Sequence, residues 1–404
     1  MRFLRISTPY REYLKRFYAE HSGLGKEGYC AQQRALLTDG FQQLGSYCFH
    51  LSRLGYVCEE IIANAAPLQR AWCRERGVPW RETDYDLHAT LAQAARFQPE
   101  VVFLVNARRF SWPWISALRS ACPRLRCVLG WWGVDVDPNE RLKGLDLVLT
   151  CNQELARDLR QLGAAVAVLP FAFDGRVLNW LDATHPPAMP LTFVGSVRRR
   201  DGFHGQRARL LEVIGDRFDL EVFTHDHAPS ALASTGRLLA AGLGQALRFT
   251  GLSERRIAEM SLLRTTMHDA PACRANGTHP LWKRVHPPVY GRRYLQTLRD
   301  SEVTLNVHPG CAGEAAGNIR LFESTGVGTC LFTDWKRDLH KFFELDCEVV
   351  AFKSDAECLE KLAWIQAHGE ARKAIAKAGQ NRTLREHHFF ALAQRLDEII
   401  RHLI

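Results

Sequence analysis

The chain has 404 residues, more than one hydrophobic core of ordinary size accommodates, so two domains of roughly 200 residues each are expected. With 46% hydrophobic and 24% charged residues it is ordinary for a globular protein, which excludes long disorder and fibrous repeats. A formal net charge of +9 asks for an anionic partner, yet the basic residues fall in short groups such as Arg198-Arg199-Arg200 and Arg292-Arg293, without interleaved aromatics. That pattern argues against nucleic acid and leaves phosphorylated small molecules or an acidic membrane face.

The twelve cysteines include no CxxC pair and no Cys/His spacing of a structural zinc site, so reduced, buried thiols and no metal are expected. The opening Met1 to Ser7 is too short in its apolar part for a signal peptide, and no apolar run reaches the roughly 18 residues of a membrane helix. A cytoplasmic location follows as an expectation, with basic surface for peripheral contact with the inner membrane face.

Short apolar runs alternate with amphipathic stretches, the signature of βα units on parallel sheets. In chain order the first half offers strands at Phe3 to Ile6, Val57 to Ala63, Val101 to Val105, Cys127 to Trp131, Leu145 to Thr150 and Ala165 to Leu169. Ile115 to Ala121 and Gln153 to Leu162 have helical spacing, and the stretch after the first strand reads as a long loop. This doubly wound domain ends near residue 183. The proline-rich stretch to Pro190 reads as a linker (184–190), since proline bars regular helix and central strand.

A second α/β series follows over 191–385. Its strands are expected at Leu191 to Val194, Leu220 to Phe223, Leu247 to Thr250, Val303 to Val307, Thr329 to Phe332 and Val349 to Phe352. Helices fit Ala208 to Ile214, Ser253 to Leu263, Tyr294 to Arg299, Asn318 to Thr325, Ala356 to His368 and Glu370 to Gln380. The segment from His268 to Pro288 carries four prolines and reads as an irregular excursion, either a lid or a surface insertion. An amphipathic terminal helix over 386–404 could pack back across the domain junction. The ligand site of such a protein lies in the crevice between the domains, off the carboxyl ends of the strands.

Two stretches there carry chemistry. Leu191 to Val194 runs into Gly195-Ser196 and then three arginines, so backbone, hydroxyl and guanidinium groups, notably Arg198 and Arg200, could hold a phosphate; a plain turn with a solvated rim is the alternative. The denser cluster has Asn306 and His308 at a strand end, a Gly/Ala-rich loop, and Asn318, Arg320 and Glu323 at a helix start, where free N–H groups and the dipole favour a diphosphate. Glu323 on an apolar face is costly unless it meets a hydroxyl-rich ligand or a cation; a capping or ion-paired glutamate is the alternative. No GxxxxGK[ST] or GxGxxG is present.

Asn318-Ile319-Arg320-Leu321-Phe322-Glu323-Ser324-Thr325-Gly326-Val327-Gly328, with Leu331 to Asp334, Phe342 to Glu344, Glu348 to Phe352 and Arg372 to His387, resembles the donor domain of CgeB-like GT-B glycosyltransferases. The likeness extends back to Leu305 to His308 and, more weakly, to Leu169 to Asp174 and Gly133 to Asp135. It implies two Rossmann-like domains facing a cleft and transfer of a sugar from a nucleotide-diphosphate donor to a saccharide, lipid-linked or protein acceptor, without a metal ion or bound cofactor. Glu323 then matches the glutamate that holds the donor's ribose hydroxyls. Gly195, Ser196, Asn306, Asn318, Arg320 and Thr325 fall in the donor site with it. The chain departs from the E-x7-E pattern of many retaining members, since eight residues separate Glu314 from Glu323. An inverting route needs a general base, for which Asp135, His21, Glu20 and His308 are candidates. A non-catalytic saccharide- or nucleotide-binding protein and a sugar-nucleotide epimerase or phosphorylase are the competing readings.

Overall fold

The computed structural model describes residues 1–133, 142–197, 205–225, 280–308 and 313–404. Asp135, Arg198 and Arg200, the expected strand Leu247 to Thr250 and the expected helix Ser253 to Leu263 lie outside them.

Six strands build the first sheet: β1 (Arg2–Ser7), β2 (Val57–Ile62), β3 (Val101–Leu104), β4 (Cys127–Trp132), β5 (Leu147–Thr150) and β6 (Val166–Val168). They run parallel in the order β2-β1-β3-β4-β5-β6. The two-residue period of a strand explains why β3 and β5 are almost wholly apolar, as a sheet covered on both faces requires. Leu4, Ile6, Val102, Leu104 and Val128 enter one core, while Phe3, Val101, Phe103, Cys127 and Leu129 enter the other.

The second sheet comprises β7 (Met189–Val194), β8 (Leu220–Phe223), β9 (Val285–His286), β10 (Ser301–Asn306), β11 (Cys330–Asp334) and β12 (Val350–Phe352). Its order is β12-β11-β10-β7-β8-β9, again parallel. Read from β9 this is the doubly wound order 3-2-1-4-5-6, whose reversal lies between β7 and β10.

Three segments differ from the sequence expectation. The supposed long loop after β1 holds helices Arg11–Glu20 and Tyr29–Leu37, because Tyr13, Leu14 and Phe17 make one buried face. Strand β7 starts inside the proline-rich stretch, with Pro190 near its beginning, where a missing N–H is tolerated. The end of the supposed excursion forms β9, a two-residue strand on Val222 and Phe223 that Pro287 and Pro288 terminate.

Helix Phe389–Leu403 lies on the first sheet, although it follows the second sheet in sequence. Phe389, Leu392, Ala393, Leu396 and Ile400 recur at helical spacing and fill the core around Phe3, Phe103 and Leu129. The chain therefore crosses between the domains twice, and the two crossings pair: Phe173 N–H donates to the His387 carbonyl at 2.8 Å and Phe389 N–H to the Phe173 carbonyl at 2.9 Å.

Candidate donor site at the crevice of the second sheet

Strands β7 and β10 are neighbours whose following segments diverge, and the gap so opened gathers polar groups. Gly195 follows β7 with φ +155°, a backbone conformation that side chains rarely adopt. A Cβ there would stand 3.3 and 3.4 Å from the Arg320 guanidinium nitrogens, so the absence of a side chain is what lets Arg320 reach the strand end. Helix Gly205–Gly215 contributes buried Arg207, which donates to the Ser196 carbonyl at 2.9 Å and the Val307 carbonyl at 2.5 Å. One guanidinium thus ties both lips of the crevice.

Helix Arg320–Val327 delivers Arg320 and Glu323. The Tyr294 hydroxyl, from helix Gly291–Arg299, donates to Glu323 Oε2 at 2.7 Å. Burial raises the Glu323 carboxyl above the ordinary glutamate value, only partly countered by the Tyr294 bond and the Arg320 charge. Burial and then the Glu323 charge likewise push the Tyr294 phenol well up. Arg320 Nε is buried without a hydrogen-bond partner among the described residues. A cation, a polarised carboxyl and a helix amino end share one place, suited to an anion joined to a hydroxyl-bearing ring.

Asn306 and Asn318 exchange amide hydrogen bonds of 3.3 and 2.6 Å, and Asn306 also donates to Thr333 Oγ1 at 3.0 Å. Their reciprocal pairing sets the helix start against the end of β10. His308 Nδ1 stands 2.7 Å from Asp334 Oδ1, and the His308 N–H donates to the same oxygen at 2.8 Å. A carboxylate only accepts, so Nδ1 carries the proton. Burial opposes ionisation of Asp334, but the His308 contacts and Lys336 bring its carboxyl below the usual aspartate value. Among the described residues the His308 side chain has no exposed surface, and its bonds to Asp334 brace the ends of β10 and β11.

Other predicted residues stand elsewhere. Thr325 is 1% exposed and bonds the Leu321 carbonyl and Thr383, so it serves the packing of two helices and lies inside the fold away from the crevice. His21 and Glu20 end the first helix and line a separate cavity against Arg292 and Arg293. The His21 ring packs on Phe17 and bonds its carbonyl. Glu314 is exposed, and its N–H donates to Glu154 of the first domain. Asp-x-Asp spacings occur at Asp84 to Asp86, where Asp86 is spent on Arg109, and at Asp135 to Asp137, outside the described residues. Sequence reasoning missed Arg207 and Tyr294. A basic residue opening the helix after the Gly-Ser turn was a signal for the first; nothing local marks the second.

The first domain supplies the opposite wall. Arg16 donates to the Pro288 carbonyl, and a cavity of 480 Å³ between Glu12, Arg16, Thr224, His225, His286 and Tyr290 lies off the ends of β8 and β9. A second cavity, of 370 Å³, lies off the ends of β1, β3 and β4 and is touched by Ile319, the residue before Arg320.

Two facing doubly wound sheets with a crossing terminal helix define the GT-B fold, and comparison with solved structures agrees. Sucrose-phosphate synthase from Thermosynechococcus elongatus aligns over 100% of this chain and 99% of its own at 13% identity, TM-score 0.51. Anabaena HepE in complex with UDP-glucose aligns over 100% of both chains at 10% identity, TM-score 0.51. A glycosyltransferase from Rickettsia africae aligns over 100% and 98% at 10% identity, TM-score 0.53. The family model described as glycosyl transferase-like matches residues 256–401, a span that includes Asn306, His308, Asn318, Arg320 and Glu323. No curated protein matches the sequence closely enough to count as a relative.

Proposed function

We propose that the chain is a metal-independent glycosyltransferase of hexosyl type. It takes a sugar from a nucleotide-diphosphate donor held at the second crevice and passes it to a cytoplasmic saccharide, lipid-linked or protein acceptor. The observation that carries the reading is the meeting of Gly195, Arg320 and Glu323 at the β7/β10 reversal, with Arg320 and Glu323 inside the span of the glycosyl transferase-like match. The UDP-glucose bound by Anabaena HepE makes that sugar nucleotide the first donor to try.

In this reading the ribose hydroxyls take over the bond that Tyr294 now gives Glu323, which offsets the cost of the buried carboxylate. The diphosphate lies against Arg320 and the amino end of helix Arg320–Val327, with Arg198 or Arg200 as further charge partners. The bond from the sugar's anomeric carbon to the phosphate oxygen breaks, and the diphosphate leaves with the electron pair. The acceptor oxygen bonds that carbon, and its proton passes to the departing diphosphate oxygen or, on an inverting route, to a general base. Fixed positive charge and helix dipole stabilise the departing anion, the part a divalent cation plays in other sugar-transfer folds.

Purified protein incubated with UDP-, GDP-, dTDP- and CMP-sugars should release nucleotide from at least one diphosphate donor, and Glu323→Ala should slow that release at least tenfold. If no nucleotide sugar reacts with or thermally stabilises the wild type, the reading fails.

A further inference from the structure

Resting on the donor reading, we propose that Asp39 of the first domain is a positioning residue for Glu323 of the second: it caps helix Gly291–Arg299 and thereby fixes Tyr294, which aims the donor carboxylate. The opening N–H groups of a helix have no partner inside it, and Tyr290, the residue before this one, supplies no side-chain acceptor. The acceptor comes from the other domain. Asp39 stands in the turn after helix Tyr29–Leu37, and its carboxylate lies so close to Gly291 that a Cβ there would overlap both carboxylate oxygens. Gly291 also has φ +54°, so glycine serves the backbone turn and the close approach together. Burial raises the Asp39 carboxyl above the ordinary aspartate value, opposed by the Tyr13 hydroxyl and the Arg292 N–H that face it.

The residues on both sides of Asp39 meet the same helix. The Thr38 carbonyl accepts from Arg292 Nε at 2.9 Å, and a Cβ on Gly40 would stand 3.1 Å from Leu295 Cδ1. The Tyr290 ring enters the first domain's aromatic cluster, edge-on to Tyr13 and Phe41 with ring centres 5.9 and 5.7 Å away. The first turn of a second-domain helix is thus built against the first domain. Tyr294 closes that turn: its N–H donates to the Tyr290 carbonyl at 3.1 Å, while its hydroxyl gives Glu323 Oε2 the 2.7 Å bond. A carboxylate aimed before the ribose arrives loses less freedom on binding, so donor affinity depends on a residue of the opposite domain that acts only through the helix.

The test is calorimetry of UDP, GDP and dTDP on wild type, Asp39→Ala, Asp39→Asn, Tyr294→Phe and the Asp39→Ala, Tyr294→Phe double variant, with melting temperatures on the same preparations. The wild type should bind at least one of the three. For that nucleotide Asp39→Ala should weaken binding roughly three- to tenfold, and Asp39→Asn, whose amide oxygen still accepts from the helix, should restore it to within about twofold. In the Tyr294→Phe background the Asp39→Ala effect should shrink below about 1.5-fold, whatever Tyr294→Phe does alone, because the route through the hydroxyl is already cut. Gly291→Ala displaces the same carboxylate from the helix side; it should give the same loss, and it replaces Asp39→Ala in the double variant if that chain does not fold. A lowered melting temperature at unchanged affinity overturns the proposal and leaves Asp39 a structural cap. So does an affinity loss that Asp39→Asn fails to rescue, or one that persists in full with Tyr294→Phe; in each of these cases the donor reading stands. If the wild type binds none of the three diphosphates, the donor reading falls and takes the proposal with it.

Discussion

The buried Glu323 carboxyl is costly to the folded chain. Burial holds its carboxyl above the ordinary value, so the folded state binds the proton more tightly than the unfolded chain does. Stability is therefore lost as pH rises from the usual glutamate range through the raised value. Glu323→Gln removes that cost and keeps an oxygen for the Tyr294 hydroxyl. Thermal melts at pH 7.5 should show a higher melting temperature, by about 2–4 °C per kcal/mol relieved, while calorimetry should show nucleotide-sugar affinity down at least tenfold. A melting temperature that falls would place Glu323 in a stabilising ion pair. Gly195→Ala acts on the same group from the other side, since the new methyl occupies the space against the Arg320 guanidinium. Donor affinity should drop roughly tenfold (about 1.4 kcal/mol), with little change in donor preference across the sugar panel.

At the level of elements, helix Arg320–Val327 is held by close approaches on its far side from the crevice. A Cβ on Gly326 would fall 2.3 to 2.6 Å from ring atoms of Phe173, and one on Gly379 would fall 2.3 Å from the Glu348 carbonyl oxygen. Gly326→Ala should therefore cost about 1–3 kcal/mol in urea unfolding, and the double variant with Phe173→Leu should recover part of it. What was legible in the sequence follows the same division. The covered strands were readable because both faces are apolar, and Asn306, Asn318, Arg320 and Glu323 were readable because a strand end and a helix start concentrate polar residues within one short stretch. Helix Arg11–Glu20 was hidden because it opens without a side-chain cap and buries aromatics among many charges. Tyr294 was hidden because it reaches the crevice from a helix 29 residues away from Glu323. Adjacency in sequence puts Thr325 beside Glu323, while the turn of the helix directs its hydroxyl to Thr383.

At the scale of the molecule, acid sensitivity concentrates where the chain recrosses. Burial lowers the proton affinity of His387 and His388, more than the Phe342 carbonyl restores for the first. For groups depressed on folding, the stabilisation is whole above the unfolded histidine value of about 6.5 and is lost as pH falls through the folded values. The melting temperature should therefore drop between pH 7.5 and pH 5.5, and the drop should shrink in the His387→Gln, His388→Asn double variant. Asp174, which accepts from Arg176 and stands 3.3 Å from His50, is held well below the usual aspartate value despite its burial, so its contribution survives until far more acidic conditions.

The paired crossings at Phe173 and His388 also dictate how the two halves can part. A single connecting strand would let one domain swivel freely about the other. Two crossings bonded side by side tie the domains at one place and restrict how freely either can swivel. Any opening of the cleft must also release the contacts across it, among them Arg16 with the Pro288 carbonyl, Glu154 with Arg337 and Glu314, and Arg292 with the Thr38 carbonyl. Those contacts are thus the latches of the cleft.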